Sequence, residues 1–229
     1  MELIPAQNLL YMLLPLSLVW YFYYKWIDNS KEVLYASSRM VVQLFLIGYA
    51  LVYIFENDSW YIGLLIIVIM ITMSSFIALR NLQDKSLHVY SVIVFAIAIG
   101  GTINLVLVIK FVLELSPFYE PRYVIPIAGM IYANSMNAVS LGAERYEKEL
   151  IISTYEQARK VALKASLIPK INTFLAVGIV SLPGMMTGQI LSGVDPLIAV
   201  RYQIVVMAMI FSSAGISVVL YLLMLNKQK

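Results

Sequence analysis

The chain has 229 residues, of which 61% are hydrophobic and only 13% charged, with a mean hydropathy of +0.84. A soluble domain carries about a quarter charged residues, so this is the composition of a polytopic membrane protein. There is no cysteine, which excludes disulfides, thiolate catalysis and Cys-ligated metals, and the net charge of +3 is explained by the inner loops and is no argument for nucleic acid.

Uncharged windows long enough to span lie at 3–24, 40–55, 59–79, 86–109, 123–143, 171–194 and 202–226. A spanning helix needs about 20 apolar residues. The second window is short, but Ala36–Ser38 extend it while Arg39 snorkels to the interface. The predicted fold is all-α, with a single transmembrane domain over 1–229 and seven spans. Met1-Glu2 offers no basic n-region, so the first span is expected to stay as an anchor.

Orientation follows from the basic residues. With the N-terminus outside, thirteen Lys/Arg fall on the inner side and only Lys110, Arg122 and Arg201 on the outer side. The C-terminus is then cytoplasmic, and the expected location is the cell membrane. The outer loop Glu56–Ser59 holds an Asn57-x-Ser59 sequon, expected to be a chance match. The outer segment Glu114–Tyr123 contains Pro117 and Pro121 and is predicted to be irregular.

Polar side chains inside the spans are Gln43, Asn104, Asn134, Asn137, Gln189 and Gln203. Such groups either join helices by hydrogen bonds or face a transport path. Asn134 and Asn137 share a face of the fifth helix, where Gly129, Ala133, Ser135 and Ala138 also permit close helix approach.

Between the fifth and sixth spans lies the longest charged stretch, 142–170, with Arg145, Lys148, Arg159, Lys160, Lys164 and Lys170. Gly142–Leu150 should continue the fifth helix into the cytoplasm. Ser153 and Glu156 fit a capping box, and a second helix is predicted to about Ile168, before Pro169. Tyr155, Ala158, Ala162 and Ala165 share one face, and Glu156, Lys160 and Lys164 the other. Such a helix can lie on anionic lipid or against protein.

In the sixth span, Pro183 and Gly184 predict a kink or break before Met185, Met186 and Gln189. Broken backbone at membrane depth must be buried in protein or face a wet cavity. Asp195 and Pro196 read as N-cap and first residue of the seventh helix. His88 is the only histidine, and Met185 and Met186 are soft ligands in a methionine-rich chain, so no metal site can be named. No P-loop, H-E-x-x-H or G-x-S-x-G is present, and the last span lacks a retinal-type lysine. The chain binds no cofactor of its own on this reading and is not an enzyme.

Several segments resemble the Fet-type iron-export permeases, which are similar to plant permeases linked to aluminium tolerance. Arg39–Leu44 with Gly48-Tyr49 and Ile54-Phe55 is similar to their second helix. Val124–Ile131 with Asn134–Asn137 is similar to their fifth. Ser166–Pro169, Val180–Ile190, Gly193, Asp195-Pro196 and Tyr202-Gln203 carry the most specific likeness. One departure is Ile152, where the family's inner turn has glycine.

The resemblance implies the membrane subunit of an ABC transporter, paired with itself as a homodimer and with a separate ATPase that binds ATP and Mg. Its cargo would be iron or another metal ion. The alternatives are a non-metal solute such as a nucleotide sugar, or a membrane scaffold. The expected transport path comprises Gln43, Asn104, Asn134, Asn137, Pro183, Met185, Met186 and Gln189. The expected ATPase-coupling residues are Glu144, Arg145, Thr154, Ala158, Arg159 and Ala162.

Overall fold

The computed structural model describes residues 4–27, 30–56 and 59–225. Among them, apart from one isolated bridge between Val177 and Ser181, every regular element is helical. Asn57 and Asp58 of the sequon lie outside the described residues, as do Lys227 and Lys229. No linker is visible in the sequence, yet the chain divides into two compact units, residues 1–57 and 58–229.

The first unit is a helical hairpin. A 3-10 run, Ala6–Met12, leads into α1 (Leu13–Ile27), which packs on α2 (Ser30–Glu56). The Tyr23 hydroxyl donates to Glu32 at 2.8 Å.

The second unit comprises α3 (Trp60–Leu79), α4 (Leu87–Leu107, ending in a π turn over Val108–Val112), α5 (Pro121–Leu150), α6 (Tyr155–Ala176), α7 (Gly184–Leu191) and α8 (Pro196–Met224). Local sequence sets the starts. Ser86 caps α4 by accepting from Val89 N at 3.3 Å. Asp195 caps α8 through Leu197 N at 2.8 Å, with Pro196 supplying the first helical residue, as expected. Pro121 opens α5, and the segment between Val112 and Pro121 is irregular, also as expected.

Helix α5 is the hub, packed against α3, α4, α6 and α8. Apolar helices gain little hydrophobic drive from one another in lipid, so close packing by small residues must hold them. A Cβ on Gly100 of α4 would lie 2.4 Å from Ser217 Oγ of α8. A Cβ on Gly142 of α5 would lie 3.2 Å from Val218 Cγ1 and 3.3 Å from Ser166 Cβ. Fully buried Ser75, Ser135, Ser213 and Ser217 continue the small-residue seams.

Among the described residues, five helical stretches are long and apolar enough to cross a membrane: Lys31–Glu56, Trp60–Leu79, Leu87–Val112, Pro121–Leu150 and Pro196–Met224. The protein is thus a multi-pass membrane protein. The first and sixth windows take other forms. The first is a 3-10 run joined to a 15-residue helix. The sixth is divided among the end of α6, a non-helical stretch from Val177 to Pro183, and the eight-residue α7.

Two local expectations need correction. The helix predicted to stop near Ile168 runs on to Ala176 with Pro169 inside it. Tertiary packing of α6 on α5 and α8 outweighs the hydrogen bond that proline removes. The cap is Thr154, not Ser153: Thr154 accepts from Gln157 N at 3.4 Å, while Ser153 Oγ donates to Glu149 O at 2.9 Å. Ser153 closes the end of α5 and Thr154 opens α6.

Candidate functional site

Two regions carry the polar chemistry. The first is the hairpin formed by the end of α5, the turn 151–154 and the start of α6. Helix α5 is 30 residues long, about 45 Å at 1.5 Å per residue. A hydrocarbon layer is about 30 Å thick, so one end of α5 stands clear of it. The charged end is the one that protrudes. There Arg145 pairs with Glu149 at 3.0 Å and Lys148 with Glu144 at 2.6 Å, both one turn apart. Ile151 and Ile152 cap the hairpin at 76% and 78% exposure.

The hairpin is braced. Glu147 accepts from the backbone N–H groups of Gln83 at 3.0 Å and Asp84 at 3.3 Å, which ties the α3–α4 loop to α5. Tyr155 packs edge-on against Tyr146, its hydroxyl donates to Leu222 O at 3.4 Å, and the Arg159 guanidinium lies over its ring.

The small-residue face of α6 is not a docking surface. Ala158 and Ala162 are fully buried, in one cluster with Ala143 and Tyr146 of α5 and Val218 and Tyr221 of α8. Small side chains let α6 lie close to its own chain, and Ala158 and Ala162 are spent on that contact, while Tyr155 and Ala165 stay half-buried. Glu156, Lys160 and Lys164 remain exposed on the opposite face.

The second region is a polar layer within the helices. Asn104 is buried between α4 and α8. Its amide nitrogen donates to Gly100 O at 2.9 Å and its oxygen accepts from Ser212 Oγ. This is helix packing, so Asn104 does not face an open path. Gln43 belongs to the first unit, where its amide oxygen, oriented to satisfy both groups, accepts from Arg39 Nε at 3.1 Å.

Asn134 and Asn137 differ from these. Asn137 is exposed, on a stripe of α5 with Pro126, Ala133 and Leu141. Asn134 donates to Met130 O at 2.7 Å and accepts from the ammonium of Lys170. The uncharged stretch of α5 runs from Tyr123 to Ala143, so Asn134 lies at its centre. Lys170 therefore reaches the middle of the apolar layer. Its charge was expected in the inner loop. It is carried inward because α6 does not end at Pro169 but continues alongside α5. Among the described residues no carboxylate pairs with it.

The break before α7 borders a groove of about 440 Å³ lined by Phe174, Leu182, Met186, Gln203 and Met207 among others. Gln203 is buried, and among the described residues neither its amide oxygen nor that of half-buried Gln189 has a hydrogen-bond partner. Pro183 caps α7, and Met185 packs against the core. Gln203 gains weight here that its place in the sequence did not give it. Among the described residues, no hydrogen bond joins this groove to Asn134 or Asn137, and no three His, Cys, Asp or Glu side chains come together to hold a metal ion.

The helical hairpin and the polar layer belong to a multi-pass membrane protein, and comparison with known proteins places it in a family. The family model described as Uncharacterised protein family (UPF0014) matches residues 5–156 and 151–229. The chain belongs to the UPF0014 family. It is similar to the "Probable iron export permease protein FetB" of Escherichia coli, 35% identical over 210 residues, covering 83% of this chain and 78% of that one. It is also similar to "Protein ALUMINUM SENSITIVE 3" of Arabidopsis thaliana, 32% identical over 232 residues, 93% of this chain and 81% of that one. "UPF0014 membrane protein STAR2" of Oryza sativa is 31% identical over 207 residues, 82% of this chain and 70% of that one. No solved structure matches. The resemblance read from Val180–Ile190 and the fifth helix thus leads to a family of membrane proteins in which a bacterial relative is named a permease.

Proposed function

We propose that this chain is the membrane permease subunit of an ABC transporter, driven by a separate ATPase that binds ATP and Mg. It works as a homodimer in the cell membrane, with seven spans, the N-terminus outside and the hairpin in the cytoplasm. The observation that carries the reading is the hairpin itself. It protrudes, it is tied to a second loop through Glu147, and it presents Ile151 and Ile152 to whatever lies beyond. The two isoleucines form the tip that enters the ATPase, with Glu144, Arg145, Thr154 and Arg159 around it.

Within the membrane, the path runs along the uncovered face of α5 that carries Asn137, and past the break at Pro183–Gln189. An exposed asparagine at this depth is costly against lipid, which supports a second protomer or water on that side. A metal, with iron first, is the proposed cargo because of the relative named "Probable iron export permease protein FetB". A non-metal solute such as a nucleotide sugar is the second reading, favoured by the cationic Lys170 beside Asn134.

Co-expression with a candidate ATPase tests the reading. Co-purification, ATPase stimulation and cargo flux in vesicles are expected, and Ile152→Asp should abolish the first two. A chain that binds no ATPase and supports no flux would return the hairpin to a scaffold role.

A further inference from the structure

Lys170 sits where a lysine is rare. Counted along α6 it lies about 22 Å from Tyr155, and Asn134 lies about 24 Å from Leu150 along α5, at 1.5 Å per residue. The two helices run side by side from the turn, so both residues stand at one level, the centre of the uncharged stretch of α5. A lysine near a helix end can snorkel to water. This one does not: its ammonium is held on the Asn134 oxygen, inside the layer. A neutral amide leaves its charge uncompensated, and among the described residues no carboxylate pairs with it.

An ionisable group at this depth marks a solute pathway or a partner charge. The part of α5 that carries Asn134 is not fully covered. Ala133, Asn137 and Leu141 are exposed there, and Asn134 is only partly covered. A bare divalent cation moving along this face would meet a fixed like charge. A solute carrying phosphate or carboxylate would meet the Lys170 ammonium and the amide donor of exposed Asn137.

We propose that the permeant crosses as an anion, and that Lys170 is the residue that receives its phosphate or carboxylate group at mid-membrane. A metal would then travel only inside a negatively charged complex. The proposal rests on the permease reading and deepens it. Lys170 binds the anionic group, Asn134 holds the ammonium in place between passages, and Asn137 offers a second amide on the same uncovered face.

The test uses the full chain in lipid nanodiscs, with direct binding of radiolabelled citrate, pyrophosphate and ferrous ion, each alone. Citrate or pyrophosphate should bind. Lys170→Gln, which keeps a hydrogen-bond donor but removes the charge, should weaken that binding at least tenfold. Lys170→Arg should retain most of it. Thermal stability of each variant, measured alongside, separates lost charge from lost folding. Should Lys170→Gln fail to fold, Asn137→Leu takes its place, with a smaller loss of anion binding expected and none of stability. Anion binding that survives Lys170→Gln overturns the proposal, as does absence of anion binding in the unaltered chain. Ferrous ion bound equally with and without Lys170 also overturns it. These results leave the permease reading standing if the same chain still stimulates its ATPase and supports flux.

Discussion

Glu147, near the end of α5, accepts the backbone N–H of Gln83 at 3.0 Å across the α3–α4 loop. Its second oxygen takes the N–H of Asp84 at 3.3 Å, so one carboxylate fastens two chain segments that are more than sixty residues apart in sequence. A movement of the hairpin must therefore pull on the loop between α3 and α4. Glu147→Ala should cost roughly 1.5–3 kcal/mol of stability, the range for hydrogen bonds to a charged group. On the proposed function it should also reduce ATPase stimulation more than ATPase binding. Glu147→Gln, which keeps one acceptor, should fall between. Equal stimulation by all three proteins would separate the loop from coupling.

Ala162→Trp and Ala158→Glu should destabilise the permease itself. Both alanines are fully buried against α5 and α8. Overpacking a close helix contact costs about 1–3 kcal/mol, and a buried carboxylate costs more. Ile152→Asp, at a 78% exposed site, should change stability by less than about 0.5 kcal/mol. Detergent thermal melts and ATPase co-purification, measured on the same preparations, give the contrast: loss of fold for the alanine variants, loss of partner for the isoleucine variant.

Asn104→Ala should leave flux intact and lower stability by roughly 0.6 kcal/mol, the average for an interhelical hydrogen bond in a membrane protein. The side chain links α4 to Ser212 of α8 and has no open face. A large loss of flux without loss of stability would put Asn104 back on the path.

Topology can be checked directly because the chain has no cysteine. Ile151→Cys, exposed at the hairpin tip, should react with an impermeant thiol reagent only from the cytoplasmic side. Ser116→Cys, exposed in the segment before α5, should react only from outside. The reverse pattern would invert the proposed orientation.

Hydrophobic runs, prolines and capping residues act locally, so the sequence alone determined the helical class, the start of α8 at Asp195-Pro196, the extension of α5 past Gly142 and the interruption around Pro183. It also carried the family likeness, which runs through the same segments. Pro169 signals a boundary in the sequence because a proline weakens a helix by one hydrogen bond, but packing along α5 and α8 outweighs that. The two faces of α6 are legible in the sequence, but what covers the small-residue face is not. Alanines at helical spacing say that something lies close, but not whether it is a partner or the chain's own neighbouring helices. Only the tertiary structure decided that Ala158 and Ala162 face inward, that Asn104 is spent on Ser212, and that Lys170 stands beside Asn134. Each of these depends on which helix lies alongside which. That is set by the summed fit of small residues such as Gly100 and Gly142 across helices distant in sequence, and no single stretch of the chain records it.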